Sequence, residues 1–132
     1  MKANELRIGN RIRHKNENGI FDLKVIALSA NSVTVAYNGE WMLDENSIEP
    51  ISLTEDILRK CKELREGKSA NGQTIFRVTK SMWEIGDAIE HWEETEFNED
   101  CFFIYGLGTF NYLHELQNWY FMKEKKELEV VL

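Results

Sequence analysis

The chain has 132 residues, 42% apolar and 11% aromatic, with a net charge of −7. This composition excludes wholesale disorder, and one proline with eight glycines excludes a Pro/Gly-rich linker. No run approaches the roughly 18–20 consecutive apolar residues of a membrane-spanning helix, and residues 1–7 (MKANELR) lack the apolar centre of a signal peptide, so the expected compartment is the cytosol.

Residues 6–50 read as short strands separated by turns. Ile8 and Ile12 alternate loosely with polar neighbours, which predicts an edge strand over 6–15. Residues 16–19 (NENG) form a turn, because Asn and Gly tolerate the positive φ of a tight hairpin. A strand over 21–28, a turn over 30–32 and an alternating β-branched strand over 32–37 follow, and Asn38-Gly39 turns the chain into residues 40–43. A last short strand starts at Ile48 before Pro50. Strands so spaced predict a small curled antiparallel sheet or barrel over 1–52, and the opening strand is similar to that of Tudor- or KOW-type barrels.

The period then changes. Thr54 suits an N-cap, and Glu55 and Asp56 put negative charge at the positive end of the helix dipole. Ile57, Leu58, Cys61 and Leu64 recur at helical spacing, with Gly67 at the closing position, which predicts a helix over 54–66. Strands are expected over about 74–105, including 74–79 and 101–105. Residues 81–94 admit two readings. Ser81, Glu84 and the stripe Met82, Ile85, Ile89 and Trp92 fit a helix, whereas Gly86-Asp87 and the flanking β-type runs fit strands with a bend. A helix over about 110–124 and a short strand over 128–132 complete an α+β chain: an N-terminal curled sheet, a helix, then an antiparallel meander with a C-terminal helix and final strand. The second portion is expected to span 53–132, packed with the first as one compact unit.

On a wheel stepped by about 100° per residue, Tyr112, Leu113, Trp119 and Tyr120 gather around Leu116 as a core-facing stripe. His114, Gln117 and Phe121 share a second face, with Asn118 alongside and Met122 on a third. Packing of one stripe does not require Phe121 or Met122, so the helix is either wedged between two layers of its own chain or contributes to a protein interface. His114, Gln117, Asn118, Phe121 and Met122 are therefore the candidate interaction surface. The alternative is that the polar members hydrogen-bond loop backbone beneath an aromatic layer.

Charge is unevenly distributed. Residues 81–122 carry no Lys or Arg but nine acids, among them Glu90, Glu93, Glu94, Glu96, Glu99 and Asp100. Such a patch repels nucleic acid and attracts cationic surfaces, or else is a solvated acidic loop. Arg7, Arg11 and Arg13, with Lys15, form a local basic stripe if 6–15 is one strand, which offers a nucleic-acid-binding alternative that the total charge opposes. Cys61 and Cys101 stand alone in the sequence and read as small apolar side chains in or near the core. The three histidines, His14, His91 and His114, have no partner at metal-ligand spacing, and no phosphate loop, calcium loop or nucleophile elbow occurs. No catalytic residue, metal or cofactor is assigned.

Three segments carry a resemblance: residues 6–10 (LRIGN), 49–55 (EPISLTE) and 112–121 (YLHELQNWYF). In this order the chain resembles a family of short uncharacterised proteins from bacterial genomes, phages and mobile elements. That family shares an LRIGN opening, a PIPLTEEWL-like helix start and a VHQLQNLYF-like closing helix. Ser52 stands where the family has proline, Glu115 and Trp119 depart within the last motif, and residues 123–129 (KEKKELE) replace a short ALTGEEL-like tail. The resemblance supplies no catalytic residues. It implies a small cytosolic accessory protein of phage or mobile-element origin. Together the readings point to a non-enzymatic protein-binding module, its partner another copy or a different protein. The alternatives are nucleic-acid binding through the N-terminal module and an acidic mimic of nucleic acid.

Overall fold

A computed structural model of the chain describes residues 1–68, 70, 72–78, 88–92, 101–104 and 108–132. Its residues group into two compact units, Met1–Ser52 with Tyr112–Glu127 and Leu53–Asn111 with Leu128–Leu132. The fold is α+β. The first unit holds β1 (Arg11–Asn16), β2 (Gly19–Leu28), β3 (Ser32–Ala36), β4 (Glu40–Asp44) and β5 (Ile48–Glu49), an antiparallel half-barrel of order β4-β3-β2-β1-β5. Helix α2 (Leu113–Glu124) belongs to the same unit, so the C-terminal helix groups with the N-terminal sheet rather than with residues 53–111.

The three expected turns join β1 to β4. Asn38 (φ +50°) and Gly39 (φ +124°) supply the left-handed backbone of the third turn, and Asn16 Oδ1 accepts from the Asn18 N–H at 2.8 Å in the first. Along β2 and β3 the register shifts between Val25 and Ala27. A bulge there bends and twists the sheet, which closes its inner face around Ile12, Leu23, Val25, Val33, Val35 and Ile48.

The N-terminal strand is shorter and more central than expected. β1 starts at Arg11, not residue 6, and lies between β2 and β5 instead of at an edge. The cause is Gly9, whose φ of +102° breaks the extended path. Gly9 N–H donates to Val25 O at 2.8 Å, and Asn10 O accepts from Val25 N–H at 2.9 Å. A short 3-10 turn, Ala3–Glu5, precedes this corner.

The second unit contains α1 (Glu55–Arg59) and a sheet of β6 (Leu64–Lys68), β7 (Thr74–Val78), β8 (Ala88–Trp92), β9 (Cys101–Ile104) and β10 (Gly108–Phe110), ordered β10-β9-β8-β7-β6. Thr54 caps α1 as expected, its Oγ1 accepting from the Ile57 N–H at 3.2 Å. The helix nevertheless ends at Arg59, not residue 66. Beyond it the backbone groups find partners outside the helix: Lys62 N–H donates to Glu129 O, Val131 N–H to Lys60 O, and Leu64 pairs with Val78. Sheet pairing thus overrides the helical spacing of Cys61 and Leu64, and Gly67 sits inside β6 opposite Ile75. Arg59 binds the carboxylates of Glu55, Asp56 and Glu66 around this turn.

Of the ambiguous stretch 81–94, residues 88–92 are strand; 81–87 and 93–94 lie outside the described residues. The expected last strand is reduced to a single bridge between Val130 and Cys61. Cys61 is buried, as its core reading requires, and burial, aided by the Glu63 carboxylate, pushes its thiol up to about 12. Among the described residues no helix is long and apolar enough to cross a membrane.

A Cβ at Gly9 would lie 2.9 Å from Glu127 Oε1, whereas one at Gly19, also at positive φ, would meet nothing within 4 Å. A side chain forced into such backbone conformations costs about 1–3 kcal/mol. Gly9→Ala is therefore expected to lower the urea midpoint further than Gly19→Ala, because the Glu127 carboxylate must also move aside, and equal midpoints would show that this contact adds no cost.

Candidate functional site: an aromatic pocket on the half-barrel

Helix α2 begins where the Leu113 N–H donates to Ile51 O at 2.8 Å, and the Glu115 side chain accepts from the Tyr112 N–H at 3.0 Å. Leu113, Leu116, Trp119 and Tyr120 are buried, as the wheel predicts, while Tyr112 is partly exposed. The remaining candidates divide. Gln117 is buried, its Oε1 accepting from the Arg11 N–H at 2.8 Å and its Nε2 donating to Gly9 O at 3.4 Å. Asn118 Oδ1 accepts from Asn10 Nδ2 at 2.8 Å, and Asn118 Nδ2 donates to Glu5 O at 3.4 Å. Asn10, fully buried, also accepts from the Arg7 N–H through Oδ1 at 2.7 Å. Gln117 and Asn118 thus tie down the backbone of the loop before β1, the structural alternative weighed for them.

His114 is buried and stacked on Tyr112, with ring centroids 5.8 Å apart, and its Nδ1 has no hydrogen-bond partner among the described residues. Burial holds this imidazole below its ordinary value, against the smaller opposing pull of Glu115 and Glu5. Phe121 is 37% exposed and lies under the Arg7 guanidinium, whose Cζ stands 4.1 Å from the ring centroid, while Arg7 pairs with the Glu127 carboxylate. Met122, at 66% exposed, is the outward member of the set. Glu90 lies on β8; Glu93, Glu94, Glu96, Glu99 and Asp100 lie outside the described residues. The expected basic stripe is divided: Arg7 precedes the strand and Arg13 is paired with Asp22.

A different site emerges on the inner face of the half-barrel. Side chains on a strand alternate between faces, so the row that begins in the core continues toward the hairpin tips. On β1 it runs from Ile12 to His14 and Asn16; on β2 from Leu23 to Phe21; across the β3–β4 hairpin from Val35 to Tyr37 and from Leu43 to Trp41. Cross-strand pairs keep these rows in register: Ile12 faces Leu23, His14 faces Phe21, and Val35 faces Trp41. The core ends midway along the rows, and the aromatic continuation walls a cavity of about 250 Å³. Phe21 and Tyr37 touch at a centroid distance of 5.4 Å with planes tilted by 59°. Trp41, 58% exposed, is fixed by its indole N–H donating to Tyr37 O at 2.8 Å. His14 Nδ1 is 2.9 Å from Ser47 O, and since a carbonyl only accepts, Nδ1 carries the proton.

The alternation of residues 21–28, 32–37 and 40–43 places Phe21, Tyr37 and Trp41 in strands and assigns them no site. The available signal was positional: each is an aromatic on the core-facing alternation, beside a hairpin turn, where core cover runs out. Among the described residues no group of three His, Cys, Asp or Glu side chains is placed to hold a metal ion. No protein-family model, curated protein or solved structure matches this chain.

His114 sets a pH dependence. Its folded-state affinity for protons is depressed, so the unfolded chain takes the proton first as pH falls. The stability it contributes is fully present above the ordinary histidine value of about 6.5 and is lost as pH drops below that toward the depressed one. Urea unfolding between about pH 7 and 5 should show falling stability, with a shallower slope in His114→Phe; identical slopes would contradict this burial effect.

Proposed function

We propose that this chain is a non-enzymatic protein-binding module, an accessory protein in the sense the sequence resemblance implies, and that its first unit binds through the inner-face pocket. The observation that carries this reading is the solvent-open cavity walled by Phe21, Tyr37 and Trp41. Exposed aromatic rings on a rigid sheet are typical of contact anchors, because they offer large area for little lost side-chain freedom. The volume decides the scale. At about 250 Å³ the cavity is below the roughly 300–1,000 Å³ of small-molecule and cofactor sites, and it suits one side chain of a partner.

Two further features support a protein as the partner. Met122 adds an exposed apolar group on α2, and the net charge of −7 favours basic over polyanionic surfaces. The nucleic-acid alternative draws less support, since Arg7 and Arg13 each already hold a carboxylate.

A peptide array probed with the full chain tests the proposal. Wild type is expected to retain a subset of peptides, and Trp41→Ala to lose them by at least about tenfold, the scale of one interface anchor, with an unchanged thermal midpoint. An array with no bound peptides, or one bound equally by both proteins, would overturn the reading.

A further inference from the structure

If the pocket is a binding site, as proposed above, its wall chemistry narrows the occupant. With Nδ1 of His14 committed to Ser47 O, Nε2 is left as an acceptor, and no partner for it exists among the described residues. The one donor of Trp41 is committed to Tyr37 O. The pocket therefore presents ring faces together with the Nε2 acceptor of His14 and the amides of Asn16 and Asn18, and none of its lining residues is an acid, lysine or arginine.

Each class of occupant can be weighed against that wall. A carboxylate or phosphate would lose water and find no cation among the lining residues. An aliphatic side chain would fill the space but leave His14 Nε2 desolvated and unpaired. A quaternary ammonium would satisfy the rings yet has no N–H to give the imidazole. A guanidinium meets both demands, being planar, weakly hydrated, able to stack on aromatic faces and composed only of donors. The molecule already uses this pairing elsewhere, with Arg7 over Phe121 at 4.1 Å.

We propose that the pocket walled by Phe21, Tyr37 and Trp41 receives an arginine side chain of a partner polypeptide, the rings stacking on the guanidinium and His14 Nε2 accepting one of its N–H groups.

The test is a titration of the ¹⁵N-labelled full chain with capped Gly-Gly-Arg-Gly-Gly, followed at the Trp41 indole N–H. Parallel titrations use the lysine and citrulline peptides and tetramethylammonium. The arginine peptide is expected to give a saturable shift, at least fivefold tighter than any of the three. Trp41→Ala and Tyr37→Ala should weaken it at least tenfold, His14→Phe several-fold, and Val131→Ala, at an exposed position of the second unit, not at all. Arginine binding no tighter than lysine or tetramethylammonium would overturn the assignment, as would unchanged affinity in both Trp41→Ala and His14→Phe. If array peptides lacking arginine shift Trp41 while the arginine peptide does not, the arginine assignment fails and the binding-site reading stands. If no peptide shifts Trp41, both fail.

Discussion

The first unit depends on how the chain reaches its central strand. Gly9 and Asn10 turn a corner rather than extend β1, and a corner leaves backbone groups that no strand pairs. Side chains of α2 meet them: Gln117 takes the Arg11 N–H and reaches Gly9 O, and Asn118 holds Asn10 and Glu5 O. Buried polar groups without partners cost about 1–3 kcal/mol each, so these amides set where the helix can sit. The register of α2 along the corner follows from hydrogen bonding as much as from its apolar stripe. Arg7 reinforces the closure by pairing with Glu127 and covering Phe121.

That closure fixes β1 as a central strand, and the inner-face rows follow from it. With Ile12 at the centre of the core, the two-residue period places His14 on the same side, opposite Phe21. The bulge between Val25 and Ala27 bends the neighbouring strand and curls the face around these rows. Core and pocket are thus one surface, covered at one end and open at the other. The pocket needs no segment of its own.

The second unit shows how local signals yield to pairing. Thr54, Glu55 and Asp56 start α1 as their chemistry dictates, yet its end is decided by residues distant in sequence. Glu129, Val131 and Val78 offer backbone partners to residues 60–64, and a sheet hydrogen bond satisfies those groups as well as a further helical turn would. Arg59 then bridges helix and strand through Glu55 and Glu66.

Local chemistry therefore determined much by itself. The hairpins at Asn16–Gly19 and Asn38-Gly39, the N-cap at Thr54, the strands β7 and β9, the core stripe of α2 and the α+β class were all legible, because each follows from residues within a few positions of one another. The wheel also isolated Gln117 and Asn118 as polar side chains needing partners, although it could not say which. Their partners, the early end of α1, the grouping of α2 with the N-terminal sheet and the pocket at Trp41 were decided only by tertiary structure. All four depend on which distant backbone groups meet, and a period along one strand or helix carries no information about what lies across from it.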